Sequence, residues 1–235
     1  LYEAYGNYPL IFITAIATGV LGLLFTLFIK APQRIPQPTK TISLDRFFLK
    51  NGTRAAFNLL LLSFSYGVLS TYVAIYGKEE VGIESGVGLF FAFLASGLII
   101  SRILGGKSIN NNKLKLTTQL GIGALFAGFF IFTFFKMPIT FYLSSLIIGI
   151  GYGLVCPSFQ ALFVNLAENN QRGTANSTYL TSWDLGLGIG VLLGGNLAEL
   201  FSYTAAYATG IILILIAFFI FIQITAPHFE THRLR

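Results

Sequence analysis

The sequence contains one long apolar segment with a single acid near its middle, Asn176-Ser-Thr-Tyr-Leu-Thr-Ser-Trp-Asp-Leu-Gly-Leu-Gly-Ile-Gly-Val-Leu-Leu-Gly-Gly195. A helix of this length crosses the roughly 30 Å of hydrocarbon in a bilayer. An ionised carboxylate is costly in hydrocarbon, so Asp184 is a candidate functional residue. Ser177, Thr181 and Gly188 recur at helical spacing with Asp184 and predict a polar stripe on one face.

A second face of the same segment carries only small residues. Gly186, Gly190 and Gly194 recur at every fourth position, a pattern that lets membrane helices approach closely. We therefore predict a helix that packs through one face and lines a transport path with the other. Three roles for Asp184 remain open: a proton carrier, a counter-ion for a cationic substrate, or a structural hydrogen-bond acceptor.

The composition predicts an all-α integral membrane protein. Of 235 residues, 54% are hydrophobic and 10% are charged, whereas a soluble domain has about 25% charged residues. The single cysteine, Cys156, excludes a disulfide framework. The sequence has no phosphate-binding loop and no paired catalytic acids, and neither histidine lies in an apolar segment. We expect neither an enzyme nor a bound cofactor, metal or nucleic acid.

Seven segments are long and apolar enough to span a bilayer. They are Pro9–Ile29, Ala55–Gly77, Ser85–Leu104, Leu116–Phe135, Ile139–Val164, Gly173–Leu197 and Tyr203–Thr225. We divide the chain into a first span at residues 1–29, a basic loop at 30–54, a six-helix bundle at 55–225 and a tail at 226–235. Within the loop, Ser43–Lys50 is typical of a short interfacial helix capped by Ser43.

The distribution of basic residues predicts the orientation. If the loop at 30–54 is cytoplasmic, thirteen of the fifteen Lys and Arg residues lie on the cytoplasmic side, and only Lys78 and Lys136 lie opposite. Positive charge is enriched in cytoplasmic loops. We therefore expect a multi-pass protein of the cell membrane whose loop 30–54 and C-terminus are cytoplasmic.

Two further segments carry polar or small residues at helical spacing, and we predict that they are inner helices. In the second span the stripe is Asn58, Ser65, Tyr72 and Tyr76, although Tyr76 fits an interfacial position. In the fifth span, Pro157 removes a backbone donor and predicts either a hinge or a static kink. Trp183, which directly precedes Asp184 in the sixth span, fits stacking on a substrate and packing equally well.

These patterns define three sets of candidate residues. The substrate or proton pathway comprises Asp184, Trp183, Thr181, Tyr179, Gln160, Tyr72, Tyr66 and Asn58. Hinge or packing positions are Pro157, Gly149, Gly153, Gly186, Gly190 and Gly194. A cytoplasmic loop pattern comprises Arg102, Gly106, Asn110 and Lys115, in which Arg102 alone fits a topology anchor.

Three stretches resemble transporters of the major facilitator superfamily. Gly88–Gly106 is similar to the eighth span of drug:proton antiporters and arabinose-efflux-like permeases. Gly106–Lys115 resembles the family's G-x-x-x-D-R-x-G-R-K loop, with Asn110 in place of the acid and without the second glycine. Gln171-Arg-Gly-Thr-Ala175 followed by Trp183-Asp-Leu-Gly-Leu-Gly-Ile-Gly190 resembles the tenth loop and eleventh span.

The resemblance implies spans 6–12 of an expected twelve, with a substrate site between two six-helix bundles. It also implies that the partner bundle lies in an N-terminal part of a longer polypeptide. We expect proton-coupled export of a small organic or amphipathic molecule, energised by the proton gradient. Uptake of a sugar or organic acid is the alternative within this class, and a multi-span scaffold or channel is the alternative outside it.

Overall fold

The computed structural model describes residues 8–28, 48–84, 86–110 and 113–234, which are helical with no strand among them. The chain divides into two compact units, Leu1–Ile42 and Ser43–Arg235. The first unit contains helix α1, Tyr8–Thr26, which has no charged residue. The second unit contains the six-helix bundle and the tail.

The bundle consists of six long helices in chain order. They are α2 (Thr53–Glu79), α3 (Val87–Asn110), α4 (Leu114–Phe134), α5 (Pro138–Leu166), α6 (Arg172–Leu200) and α7 (Tyr203–Ile220). Short 3₁₀ turns, Lys50–Gly52 and Asn169–Gln171, precede α2 and α6. After α7 the chain continues through a π-helical turn, Phe221–Thr225, into a last helix α8, Ala226–His232.

Five helical segments in the described residues have the length and composition to cross a membrane. They are Pro9–Thr26, Lys50–Glu79, Leu114–Phe134, Pro138–Leu166 and Tyr203–His232, and Val87–Ile103 is a shorter apolar helix. Helix α6 does not meet that composition, although its 29 residues are long enough. Its hydroxyls, amides and Asp184 lower its apolar content, and its glycine face is covered by α2 instead of lipid.

Close packing of α2 on α6 organises one half of the bundle. A Cβ atom at Gly186 would overlap the Leu60 carbonyl, and one at Gly190 would overlap the Phe64 carbonyl. Equal four-residue steps on both helices show that α2 and α6 run parallel. Only a glycine permits this backbone approach, so the predicted packing role of Gly186, Gly190 and Gly194 agrees with the contacts.

A second glycine-mediated contact joins α3 to α5. Gly149 lies against the Leu94 carbonyl, and a Cβ atom at Gly153 would overlap the Ser101 hydroxyl. On α3, Gly97 lies against the Leu146 carbonyl. Helix α5 also packs antiparallel on α4, where Gly121 meets Val155 and Gly151 meets Leu125. Helix α5 is thereby enclosed between α3 and α4.

Helices α4 and α7 are each packed on one face, although their apolar sequences are typical of helices surrounded by lipid. Phe129 and Phe132 of α4 are fully buried, whereas Phe130 and Phe134 are exposed. Ala217 on α7 is fully buried and Phe219 is exposed. Phenylalanine occurs both in the packed interior and on the exposed apolar surface. The number of phenylalanines in a helix therefore does not reveal which side of the helix is packed.

Several predicted boundaries differ from the structure. Helix α3 ends at Asn110 instead of Leu104, because a helix can continue past its apolar part wherever its backbone hydrogen bonds are satisfied. The predicted interfacial helix at residues 43–50 falls mostly on residues 43–47, which lie outside the described residues. Phe48 and Leu49, which are described, are not helical.

Candidate functional site

Helix α6 presents two faces with different surroundings. Ala175, Thr178, Ser182 and the three ridge glycines are buried on one face. Ser177, Thr181 and Asp184 are exposed on the other face, and no atom lies within 4 Å of a Cβ built at Gly188. The polar stripe therefore lies on the surface of the bundle and not between its helices.

The Asp184 side chain is exposed. Within the described part of the chain, its carboxylate has no hydrogen bond and no ion pair. A carboxylate without such a partner can bind a proton or a cationic group without first breaking an internal contact. This chemistry is available on a helix that the surrounding apolar helices place within a bilayer.

An aromatic cluster of Tyr66, Tyr152 and Trp183 lies next to Asp184 and joins three helices. The Tyr66 ring centroid lies 5.1 Å from that of Tyr152 and 5.5 Å from that of Trp183. Tyr152 and Trp183 meet edge to face at 5.8 Å. Such ring distances are typical of stabilising aromatic pairs. Tyr66 and Trp183 are half-buried, so both retain accessible surface.

Polar contacts continue along the interface between α5 and α6. The Tyr179 ring of α6 packs edge to face on Phe163 of α5, with the ring centroids 6.1 Å apart. The Gln160 amide donates a hydrogen bond to Asn176 Oδ1 at 3.1 Å. Tyr179, Trp183 and Gln160 thus lie along this interface, as do two residues that were not singled out, Tyr152 and Asn176.

The stripe of Asn58, Ser65, Tyr72 and Tyr76 on the predicted inner helix α2 packs between the helices of the bundle. Asn58 donates to the Ala217 carbonyl at 3.0 Å and to Thr225 Oγ1 at 3.3 Å. The Ser65 hydroxyl donates to the Gly210 carbonyl at 3.0 Å. These side chains join α2 to α7, because a buried hydroxyl or amide requires a partner that a neighbouring backbone supplies.

The two tyrosines of that stripe also bond to helix backbones. Tyr72 donates to the Val191 carbonyl of α6 at 2.9 Å. Tyr76 is fully buried and donates to the Phe132 carbonyl of α4 at 3.0 Å. The interfacial position predicted for Tyr76 is therefore wrong. The structure does not bring Asn58 or Tyr72 to the aromatic cluster.

The predicted hinge and loop positions lie within regular helices. Helix α5 continues through Pro157 without a change of helix type. Arg102 lies two turns before the end of α3, and Gly106 and Asn110 belong to its last turns, so these three do not form a loop. Lys115 lies in the first turn of α4 and pairs with Glu230 of α8 at 3.1 Å.

Tyr152 is the member of the aromatic cluster that the sequence analysis missed. A signal for it exists, since Tyr152, Cys156 and Gln160 follow one another at four-residue steps and so share a face of α5. The neighbouring Gly149 and Gly153 were selected as hinge or packing positions, and Tyr152 between them was passed over. In the described part of the chain, no group of three His, Cys, Asp or Glu residues could hold a metal ion.

Comparison with known families decides the classification. The model of the Major Facilitator Superfamily matches residues 1–188 and 138–234, which together cover nearly the whole chain. The chain belongs to the Major Facilitator Superfamily. Its helical bundle and apolar spans are those of a multi-pass membrane protein, and its family is one of membrane transporters. Among curated proteins, no match was found.

Proposed function

We propose that this member of the Major Facilitator Superfamily exports a small organic, amphipathic molecule in exchange for protons. The observation that carries the proposal is the exposed Asp184 carboxylate, which has no partner among the described residues and follows Trp183 directly. The acid supplies a protonation site, and the half-buried rings of Trp183 and Tyr66 supply an apolar surface for the substrate. The energy comes from the proton gradient, and no cofactor takes part.

In this proposal, proton movement and substrate transport are coupled because a proton competes for Asp184 with a polar group of the substrate or of the facing bundle. When the carboxylate is ionised, it favours the state in which a polar group of the substrate or of the facing bundle compensates its charge. When it is protonated, burial in an apolar interface becomes less costly. A proton therefore binds one conformation more strongly than the other and shifts their populations, which is the requirement for coupled alternating access.

The partner of the exposed α6 stripe in this proposal is an N-terminal six-helix bundle of the same polypeptide. Its presence is tested by the mass of the protein extracted from its own membrane. An apparent mass about twice that of this chain supports the two-bundle arrangement. A native product of the size of this chain contradicts it and requires a second copy to supply the facing surface.

The transport experiment uses the intact protein in liposomes that contain pyranine, a pH-sensitive dye. A panel of neutral, anionic and cationic amphipathic compounds is added, and compound-dependent proton movement is recorded. We expect Asp184→Asn to reduce that movement to the level of protein-free liposomes. The matched control is Glu199→Gln, which neutralises another exposed acid of α6 and retains transport. Unchanged proton movement in Asp184→Asn excludes Asp184 as a coupling residue.

The same liposomes separate the alternatives. An uptake permease is identified if a proton gradient drives a sugar or organic acid inward. The compound then accumulates together with protons. Flux that rises linearly with concentration and ignores the proton gradient identifies a channel. A cytoplasmic position of loop 30–54 is checked by labelling single introduced cysteines at that loop from each side of the membrane, in a variant lacking Cys156.

A further inference from the structure

We propose that Tyr152 is a positioning residue that sets the orientation of Trp183 in the substrate site. This inference rests on the proposed function, in which the Trp183 ring contacts the substrate. Tyr152 itself is 1% exposed and does not reach the surface on which Asp184 lies. It therefore acts through its neighbours and not by touching the transported molecule.

The Tyr152 hydroxyl fixes its ring to a rigid element. It donates a hydrogen bond of 3.1 Å to the Leu62 carbonyl of α2, although Tyr152 belongs to α5. A carbonyl within a helix already accepts a backbone bond, so the hydroxyl uses the second lone pair. A buried hydroxyl requires a hydrogen-bond partner, so the Tyr152 hydroxyl keeps its bond to the Leu62 carbonyl.

The ring of Tyr152 then supports both accessible rings of the cluster. Its plane is inclined by 78° to that of Tyr66 and by 86° to that of Trp183. Edge-to-face contacts depend on direction, so a rotation of Tyr152 would displace both neighbours. The Phe129 ring also meets Tyr152 edge to face, at a centroid distance of 6.4 Å, and adds a third aromatic contact to it. The hydrogen bond to α2 therefore fixes the Tyr152 ring, and this ring in turn fixes the orientation of Trp183 on α6.

The chain offers a matched control for the loss of this hydroxyl. Tyr76 of α2 is also fully buried. Its hydroxyl donates to the Phe132 carbonyl at 3.0 Å and to the Thr133 carbonyl at 3.2 Å, and its ring packs on Phe132 and Tyr207. None of its ring contacts involves Trp183. Tyr76→Phe therefore removes an equivalent buried hydrogen bond without disturbing the aromatic cluster of Tyr66, Tyr152 and Trp183.

The test measures how accessible Trp183 is in the intact protein. Trp183 is the single tryptophan of this chain, and its emission is isolated by subtracting the signal of a Trp183→Phe variant. Acrylamide quenching is compared in the otherwise unchanged protein, in Tyr152→Phe and in Tyr76→Phe. We expect the quenching constant to change by about twofold or more in Tyr152→Phe and to remain constant in Tyr76→Phe.

Transport kinetics give the second measurement. The substrate is the panel compound with the largest proton movement in the pyranine assay. We expect Tyr152→Phe to raise KM by about two- to tenfold, the range that corresponds to one hydrogen bond, with the maximal rate unchanged. Tyr76→Phe should leave KM unchanged, because a purely structural loss lowers the amount of folded protein and not its affinity.

The outcomes distinguish this inference from the proposed function. Equal quenching of Trp183 in all three proteins overturns the positioning role, whatever the transport data show. Altered quenching in Tyr152→Phe combined with no transport by the unchanged protein retains the positioning of Trp183 and rejects the transport proposal. If Tyr152→Phe alone cannot be purified in a monodisperse form, Tyr152 is a structural residue and the inference fails.

Discussion

The two faces of α6 differ in what a substitution can disturb. The buried face places Gly186 and Gly190 directly on carbonyl groups of α2, so that even one added methyl group meets backbone. The exposed face carries Ser177, Thr181 and Asp184 and has open space beyond Gly188. The packing contacts of α6 and its exposed polar residues thus lie at different angles around the helix axis and involve different residues.

The contact between α3 and α5 supports this interpretation. It uses the same packing, with Gly97, Gly149 and Gly153 against carbonyl or hydroxyl groups. Parallel helix pairs joined through glycine are therefore a repeated element of the bundle. The acid on the opposite face is found on α6 and not on α5, whose Gln160 is neutral. Close packing through glycine thus occurs in both helix pairs, whereas of α5 and α6 only α6 carries an acid on its other face.

The largest effect on stability is expected for Gly190→Leu. Its side chain would overlap the Phe64 carbonyl, and the two helices would have to separate. Overpacking of this kind costs about 1–3 kcal/mol and sometimes more. Thermal unfolding in detergent, followed by size-exclusion chromatography, should show a lower midpoint or no monodisperse protein. The control is Gly188→Leu, because no atom of the described residues lies within 4 Å of a Cβ at Gly188. Equal midpoints for the two variants would refute the two-face description.

An intermediate effect is expected for Asn58→Ala, which removes the polar link between α2 and α7. Hydrogen bonds between membrane helices contribute about 0.6 kcal/mol on average, and the truncated side chain also leaves a cavity. We expect a loss of about 1–2 kcal/mol in the free energy of unfolding. A double-mutant cycle with Thr225→Val measures the coupling through the 3.3 Å contact. Strictly additive effects would mean that this contact contributes nothing.

A small gain in stability is expected for Gly188→Ala. The position is helical, and a methyl group there meets no neighbouring atom. Alanine favours a helix over glycine by up to about 1 kcal/mol. The midpoint of thermal unfolding should therefore rise slightly. Gly186→Ala is the matched comparison on the buried face and should lower the midpoint, since its Cβ would overlap the Leu60 carbonyl. A change of the unfolding midpoint in the same direction for both substitutions would contradict the comparison between the two faces of α6.

The smallest effect on stability is expected for Asp184→Asn. Substituting an exposed residue that has no hydrogen-bond or ion-pair partner changes the free energy of unfolding by no more than about 0.5 kcal/mol. The unfolding midpoint should match that of the unchanged protein even though proton-coupled transport is lost. A clear destabilisation would instead assign Asp184 the structural acceptor role and would remove the main support for the transport proposal.

Much of the architecture could be predicted from the sequence, because apolar length and charge bias report directly on the bilayer. Each predicted span coincides over most of its length with one helix of the described residues, and the family assignment agrees with the resemblance carried by Trp183–Gly190. The end of α3 could not be predicted, since polar residues after Leu104 remain helical. The charge tally predicts the orientation, which remains to be tested by labelling.

The sequence alone determined which residues share a face of each helix, since helical spacing is local. It therefore predicted the glycine ridge and the Asp184 stripe of α6 on separate faces, and the structure buries the first and exposes Ser177, Thr181 and Asp184 of the second. Only the tertiary structure decided what each face meets. The α2 stripe of Asn58, Ser65, Tyr72 and Tyr76 has the polarity of a path lining, yet its members bond to backbone carbonyls of α4, α6 and α7. A hydroxyl or amide can face water, substrate or a neighbouring carbonyl, and that choice depends on helices that are distant in sequence.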